Sequence, residues 1–148
     1  MLNIVADLYR SVFKFGVFNA VQSTCFDTIY HSSVNVVVSA PTGAGKTVLF
    51  ELAMLRLFSD PVNTSSKVVY MAPTKSLCSE RARDWKIKFG RLGLGWDVVE
   101  LTGDSSVGGS LRDVGEARII VTTPEKWDGM TRKWSVASFA FSAGVSDL

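Results

Sequence analysis

The chain has 148 residues, of which 47% are hydrophobic, and its formal net charge is +2. These values argue against a multidomain protein and against disorder throughout, and the charge is too small to indicate nucleic-acid binding unless basic residues form a local patch. The single histidine argues against a histidine-based metal site or a Ser-His-Asp triad, and no apolar run reaches the ~18 residues that span a membrane.

The spacing of apolar residues predicts helices that alternate with strands. Helices are predicted at residues 4–14, 18–30, 46–58 and 73–89, and a further helix begins at Pro124. Buried strands are predicted at residues 34–39, 67–72, 96–101 and 118–122. Loops rich in turn-forming residues are predicted at residues 59–66, 90–95 and 102–109.

This order of elements predicts an α/β fold with a mostly parallel sheet covered by helices on both faces. In such sheets, ligands bind outside the carboxyl ends of the strands. Four loops each follow a predicted strand, at residues 40–46, 73–75, 102–104 and 123–126. We therefore expect all four loops on one rim of the sheet, facing one ligand region.

The segment Ala40–Thr47 has the strand–loop–helix setting of a phosphate-binding loop, with Ala40 where the strict pattern has Gly. In such a loop, Lys46 would contact the β- and γ-phosphates of a nucleotide, and Thr47 would offer its hydroxyl to Mg²⁺. The expected nucleotide ligands are Thr42, Gly43, Ala44, Gly45, Lys46 and Thr47. The alternative is a Gly-rich turn with a solvated lysine.

Together, the four loops resemble the first RecA-like domain of superfamily 2 helicases over about residues 8–134. Within that superfamily the chain looks like the Ski-type DExH group, and Trp127 with the segment Thr131–Trp134 narrows the likeness to its Mer-type meiotic crossover branch. The resemblance implies a three-layer P-loop (RecA-like) fold, ATP and Mg²⁺ as cofactors, and a nuclear location. The implied partner is single-stranded or branched DNA, contacted through its backbone and without membrane contact, while the oligomeric state is left open.

The segment Phe18–Gln22 is similar to the Q-type motif of this family. The likeness implies that Gln22 recognises the adenine edge and that Phe18 or Phe15 stacks on the base. The alternative is that Gln22 is a solvated helix residue.

Three more segments resemble family motifs that grip the nucleic-acid backbone, namely 72–77, 101–104 and 122–128. The contacts that they imply are Pro73, Thr74, Lys75, Thr102, Gly103, Thr123, Pro124, Glu125 and Lys126. Each segment also has a plainer interpretation: a helix begun by Pro73 with an exposed lysine, a generic turn, and a helix capped by Thr123.

The family's next element, a strand that ends in Asp-Glu-x-His, does not occur in residues 135–148. We therefore expect residues 1–134 to be the N-terminal part of a helicase ATP-binding domain, with a sheet incomplete at its C-terminus, and residues 135–148 to be a divergent tail. Since the missing carboxylates hold Mg²⁺ and activate water in the family, Lys46 and Thr47 are the only expected catalytic residues.

The resemblance thus implies a truncated ATP-dependent DNA helicase core that binds nucleotide weakly without useful hydrolysis. Two alternatives stay open. One is a non-catalytic isoform that binds nucleotide or a partner, and the other is a different P-loop enzyme, such as a kinase of small molecules.

Overall fold

The structure is a computed structural model that describes residues 12–13, 16–63, 65–93, 95–103 and 111–134, with the backbone alone at 111–113, 133 and 134. The predicted helix at 4–14, Phe15 as a base-stacking residue and the divergent tail lie wholly or largely outside these ranges. The described residues fall into two compact units, one ending at Asn63 and one running from Ser65 onward.

The first unit is built on two helices, α1 (Ala20–His31) and α2 (Lys46–Ser59), and α2 is followed by a 3-10 turn at Pro61–Asn63. The two helices pack against each other, and Phe26 and Leu52 are completely buried. Burial of one apolar face on each helix is the main source of stability for helices of this length.

Residues 34–39 form no strand, so this prediction is wrong. Val34 is 62% exposed and Val37 is 97% exposed, although both were expected in a core. A strand exists only through hydrogen bonds to a neighbouring strand, and the described residues of the first unit contain no other strand. These residues have the apolar composition of a buried strand, but the described residues of the first unit offer no neighbouring strand with which they could pair.

The second unit is a three-stranded parallel sheet with three helices. Its elements are β1 (Val68–Met71), α3 (Lys75–Gly90), β2 (Val98–Leu101), α4 (Leu111–Glu116), β3 (Ile119–Thr122) and α5 (Pro124–Trp134). The strand order is β1-β3-β2, and Val68 and Val98 both pair with Ile119. The central strand β3 is buried along its whole length, as expected for a parallel sheet.

Helices cover both faces of this sheet. On one face, apolar side chains of the strands pack with Val114 of α4 and Trp127 of α5. On the other face, the ring of Tyr70 lies 4.9 Å from that of Trp85 of α3, in an edge-to-face arrangement. The second unit therefore has three layers, a parallel sheet between two layers of helices, which confirms the predicted α/β class.

The short helix α4 was not predicted from the sequence. The ammonium of Lys67 closes its C-terminal end by donating hydrogen bonds to the carbonyl oxygens of Val114 (3.1 Å), Gly115 (2.8 Å) and Ala117 (2.5 Å). Burial lowers the pKa of Lys67, and the nearby Arg118 lowers it further.

Among the described residues, none of the helices combines the length and apolarity that a membrane crossing requires.

Candidate nucleotide site and strand-end surface

The segment before α2 is a tight loop shaped by two glycines. Gly43 has a φ of +82° and Gly45 a φ of +77°, a region that residues with a Cβ avoid. The Ala44 N–H donates to the carbonyl of Pro41 (3.2 Å), which closes a turn around Gly43. The loop therefore has a defined conformation that leads directly into the first turn of α2.

The positive groups of this loop collect at the start of α2. The ammonium of Lys46 donates to the carbonyl oxygens of Ala40 (2.5 Å) and Pro41 (2.8 Å), within the loop itself. Gly45 is the N-cap of α2 and provides no side-chain cap, and no acidic residue lies in the first turn. The N–H groups of that turn thus keep the partial positive charge that attracts anions.

The N-terminus of α1 holds this loop through two amide side chains. Asn19 donates from Nδ2 to the carbonyl of Ala44 (3.1 Å), and Gln22 donates from Nε2 to the carbonyl of Gly45 (3.3 Å). The same two residues form a capping box, since Asn19 Oδ1 accepts from the Gln22 N–H (2.9 Å) and Gln22 Oε1 accepts from the Asn19 N–H (3.0 Å). Gln22 is 5% exposed, so it is not a solvated helix residue.

Phe18 lies in the core of the first unit. It is 6% exposed, and its ring centroid is 6.0 Å from that of Phe13 and 5.5 Å from that of Phe26. Phe18 is thus held between two other rings, and it precedes the capping-box residue Asn19 in the chain.

Thr47 lies in the first turn of α2 and is half-buried. Within the described ranges, no group of three or more His, Cys, Asp or Glu side chains is arranged to hold a metal ion. A hydroxyl oxygen at the start of a P-loop helix suits Mg²⁺, which takes its other ligands from phosphates and water.

The carboxyl ends of the three strands carry the predicted nucleic-acid ligands of the second unit. We call this region the strand-end surface, and it consists of Pro73, Thr74, Lys75, Thr102, Gly103, Thr123, Pro124, Glu125 and Lys126. Parallel strands bring their carboxyl ends to one edge, so three of the four predicted loops share an edge as expected. The loop at 40–46 belongs to the first unit and follows no strand.

Lysine and glycine come close together on the strand-end surface. A Cβ placed on Gly103 would lie 3.3 Å from the Lys75 Nζ, so this lysine extends across the glycine. Lys75 is exposed and lies in the first turn of α3. An exposed ammonium beside bare main chain at a helix N-terminus favours a phosphate group.

Two threonine side chains of this surface cap helices. Thr74 Oγ1 accepts from the Leu77 N–H (3.4 Å) at the start of α3, and Thr123 Oγ1 accepts from the Lys126 N–H (3.4 Å) at the start of α5. The predicted capping role of Thr123, followed by Pro124 in the first turn, is confirmed. Capping and anion binding use N–H groups of the same helix end, so neither excludes the other.

Glu100 is a neighbour of this surface that sequence reasoning missed. Its Oε1 accepts hydrogen bonds from the hydroxyls of Ser79 (2.7 Å) and Thr102 (3.2 Å). The carboxylate thereby orients the Thr102 hydroxyl and adds a negative charge next to the lysine-bearing edge. No sequence signal singled out Glu100, because its partner Ser79 lies on a different element.

Comparisons with known proteins identify the family. A family model described as DEAD/DEAH box helicase matches residues 19–143. The Homo sapiens protein named Probable ATP-dependent DNA helicase HFM1 is 54% identical over 129 residues, which cover 85% of this chain and 9% of the relative. The Arabidopsis thaliana protein named ATP-dependent DNA helicase homolog MER3 is 45% identical over 143 residues, covering 88% of this chain and 12% of the relative.

A third relative, Activating signal cointegrator 1 complex subunit 3 of Danio rerio, is 47% identical over 137 residues, covering 93% of this chain and 9% of the relative. The chain thus spans 9% to 12% of the length of these relatives. The similarity to HFM1 and MER3 confirms the predicted likeness to the Mer-type branch.

A solved structure shows the same fold. The DUF1998 helicase MrfA, crystallised with DNA and AMPPNP, matches with a TM-score of 0.71 at 18% identity, covering 84% of this chain and 18% of MrfA. At this identity the likeness concerns the fold alone, and it confirms the predicted RecA-like fold. Since the family model covers most of the sequence and relatives align along the same region, the chain belongs to the DEAD/DEAH box helicase family.

Proposed function

We propose that this chain supplies ATP-binding and DNA-binding elements of an ATP-dependent DNA helicase that acts in the nucleus during meiotic recombination. The relatives HFM1 and MER3, whose names describe ATP-dependent DNA helicases, support this assignment. The observation that carries the proposal is the N-terminus of α2, which has no side-chain cap, carries Lys46 and follows a tight loop shaped by Gly43 and Gly45.

The loop before α2 binds the phosphates of ATP. N–H groups of Gly45, Lys46 and Thr47 surround the phosphate oxygens, and the Lys46 ammonium exchanges its two loop carbonyls for the β- and γ-phosphates. The exchange replaces neutral acceptors by charged ones, which form hydrogen bonds about twice as strong. Thr42 and Ala44 belong to the same loop and complete the set of proposed phosphate ligands.

Thr47 and Gln22 serve the two ends of the nucleotide, the phosphates with their Mg²⁺ and the adenine base. The Thr47 hydroxyl binds Mg²⁺, which neutralises phosphate charge when the nucleotide is bound. The Gln22 carboxamide uses one donor hydrogen and one acceptor lone pair within the protein, and its remaining donor and lone pair suit the adenine edge.

The strand-end surface binds the sugar–phosphate backbone of DNA. Lys75 and Lys126 contribute charge, and the N–H groups of Thr123 and Gly103 contribute hydrogen-bond donors. Contacts of this kind fix the position of a strand without recognising its base sequence. The exposed lysine across Gly103 is the structural feature that supports this part of the proposal.

Titration with a fluorescent ATP analogue tests the nucleotide site. We expect saturable binding to the native chain and at least tenfold weaker binding to Lys46→Ala, since removal of a charge-assisted contact costs about 1.5–3 kcal/mol. Equal traces for the two proteins would overturn the assignment. Stronger nucleotide binding in the presence of single-stranded DNA distinguishes a helicase from a kinase of small molecules.

A further inference from the structure

We infer that Asn19 is a positioning residue of the nucleotide site, which aims main-chain N–H groups of the phosphate-binding loop by holding the carbonyl of Ala44. The inference deepens the proposed function and rests on it, since it assigns a role to a residue outside the loop. It is carried by the hydrogen bond between Asn19 Nδ2 and the Ala44 oxygen, at 3.1 Å, across 25 residues of sequence.

The geometry of the peptide bond makes this contact directional. In a trans peptide the C=O and the N–H of one planar unit point in opposite directions. A side chain that holds the Ala44 carbonyl therefore fixes the direction of the Gly45 N–H, because the two groups belong to the same unit. A phosphate bound on the opposite side meets an N–H that has already been oriented, so less freedom is lost on binding.

Gln22 does the same for the next peptide unit. Its Nε2 donates to the Gly45 carbonyl, which also accepts from the Val48 N–H at 3.1 Å. Both lone pairs of this oxygen are thus engaged, and the Lys46 N–H of the same unit points the other way. Two successive N–H groups of the loop are therefore aimed by two successive side-chain contacts from α1.

The chemistry of the contact requires an amide at position 19. Asn19 Oδ1 caps α1 by accepting from the Gln22 N–H, while Nδ2 holds the loop. A carboxylate or a hydroxyl at the same position retains the cap, since Asp, Ser and Asn are all good N-cap residues. An aspartate carboxylate accepts toward α1 but cannot donate to Ala44. A serine hydroxyl can both accept and donate, but its single oxygen stops one bond short of the Asn19 amide atoms and cannot occupy the places of Oδ1 and Nδ2 together. The two roles of the residue can therefore be separated by substitution.

Asn19→Ser and Asn19→Asp test the inference, with Thr24→Ala as a matched control. Thr24 lies about one turn further along α1, and in the part of the chain that the structure describes its hydroxyl bonds within that helix, to the Ala20 carbonyl. Binding is measured with inorganic triphosphate, which probes the loop alone, and with adenosine, which lacks phosphates. We expect both Asn19 variants to bind triphosphate about five- to tenfold more weakly, the equivalent of one hydrogen bond, with unchanged adenosine binding.

The two Asn19 variants serve different purposes. Asp adds a charge that repels phosphate, whereas Ser is neutral, so a loss shared by both variants comes from the missing donor. Helical circular dichroism equal to that of the native chain establishes that the cap is intact. Triphosphate binding by folded Asn19→Ser at the native affinity would overturn the inference, and so would an equal loss of adenosine and triphosphate binding. A native chain that itself binds no triphosphate would instead refute the proposed function.

Discussion

A Cβ atom placed on Gly45 would lie 2.3 Å from the carboxamide nitrogen of Gln22. Gln22 has little room to retreat, because it is 5% exposed and two hydrogen bonds hold its carboxamide. Gly45 also has a φ of +77°. Glycine is therefore needed here for two independent reasons, the backbone angle and the space beside α1.

The substitution Gly45→Ala should lower the free energy of unfolding by about 2–3 kcal/mol, the sum of the left-handed backbone penalty and a displaced hydrogen bond. It should also weaken binding of the ATP analogue. Urea unfolding monitored by circular dichroism gives the first quantity. Gly43→Ala is the matched control, since Gly43 has a φ of +82° but no atom within 4 Å of the place that a Cβ would take. Equal destabilisation by both variants would show that Gln22 does not press on Gly45.

The sequence contained enough information to predict most elements of this fold. Helices and strands with strong apolar periodicity appear within about two residues of their expected bounds. The failures concern segments that depend on distant partners. Residues 34–39 lack a neighbouring strand among the described residues, and α4 is completed by Lys67, which lies 47 residues or more from the carbonyls that it caps.

In the candidate site, too, the sequence predicts the local features but not those that depend on distant residues. The sequence identifies Lys46 and Thr47 because their spacing is local to one loop. It also identifies Gln22 as a residue of interest, but not its contact with Gly45, since the two lie 23 positions apart. An Asn directly before the apolar positions of α1 is typical of a helix cap, but the contact of Asn19 with the loop depends on where the loop folds back.

Removal of the hydroxyl at position 47 should affect metal-dependent binding specifically. We expect Thr47→Val to lower the affinity for ATP in the presence of Mg²⁺ by about five- to tenfold, the effect of one lost ligand contact, with little change when Mg²⁺ is removed by a chelator. Thr47→Ser retains the hydroxyl and should bind as the native chain does. Similar losses with and without Mg²⁺ would contradict a role in metal binding.

Loss of a lysine on the strand-end surface should weaken DNA binding uniformly across base sequences. For Lys75→Ala or Lys126→Ala, the slope of log affinity against log salt should fall by about 0.7 for single-stranded DNA, the value for one phosphate contact. Lys86→Ala is the control, since Lys86 is an exposed lysine about three turns further along α3. A control with the same change in slope would show that only overall charge matters.

Lys67 should stabilise the second unit through the end of α4. Lys67→Met retains much of the apolar stem but leaves three carbonyls without their shared donor, and we expect a loss of about 2 kcal/mol in the free energy of unfolding. Lys86→Met, at an exposed lysine, should change stability little. Equal effects of the two substitutions would show that the cap contributes nothing.

The pH dependence of stability provides a separate test of Lys67. Burial, followed by the charge of Arg118, lowers the pKa of Lys67 below its ordinary value of 10.5. Between the lowered pKa of the folded chain and 10.5, the unfolded chain therefore binds more protons than the folded chain. The free energy of unfolding should then rise as the pH increases through this window, and the gain is lost as the pH falls back to the lowered pKa. The rise should be absent from Lys67→Met in urea unfolding at a series of alkaline pH values.

The two cysteines should differ in reactivity toward maleimide. Cys78 is completely buried, and burial, opposed by a hydrogen bond to Ala72 and aided by the charge of Glu100, raises the pKa of its thiol. Cys25 is half-buried on α1. We expect Cys25 to be labelled in the folded chain and Cys78 only after unfolding, as measured by peptide mass spectrometry. Comparable labelling of both in native buffer would place Cys78 at the surface.

The hydrogen bonds that shape the proposed phosphate-binding loop connect residues no more than 25 positions apart, all within Asn19–Val48. Closing so short a segment costs little entropy, and the cost grows only slowly with length. The residues of the loop also precede β1 in the chain, so they are synthesised before it at about 5–20 residues per second. The chain can therefore form the turn before α2 as an early, local event, ahead of the parallel sheet that requires pairing over longer distances.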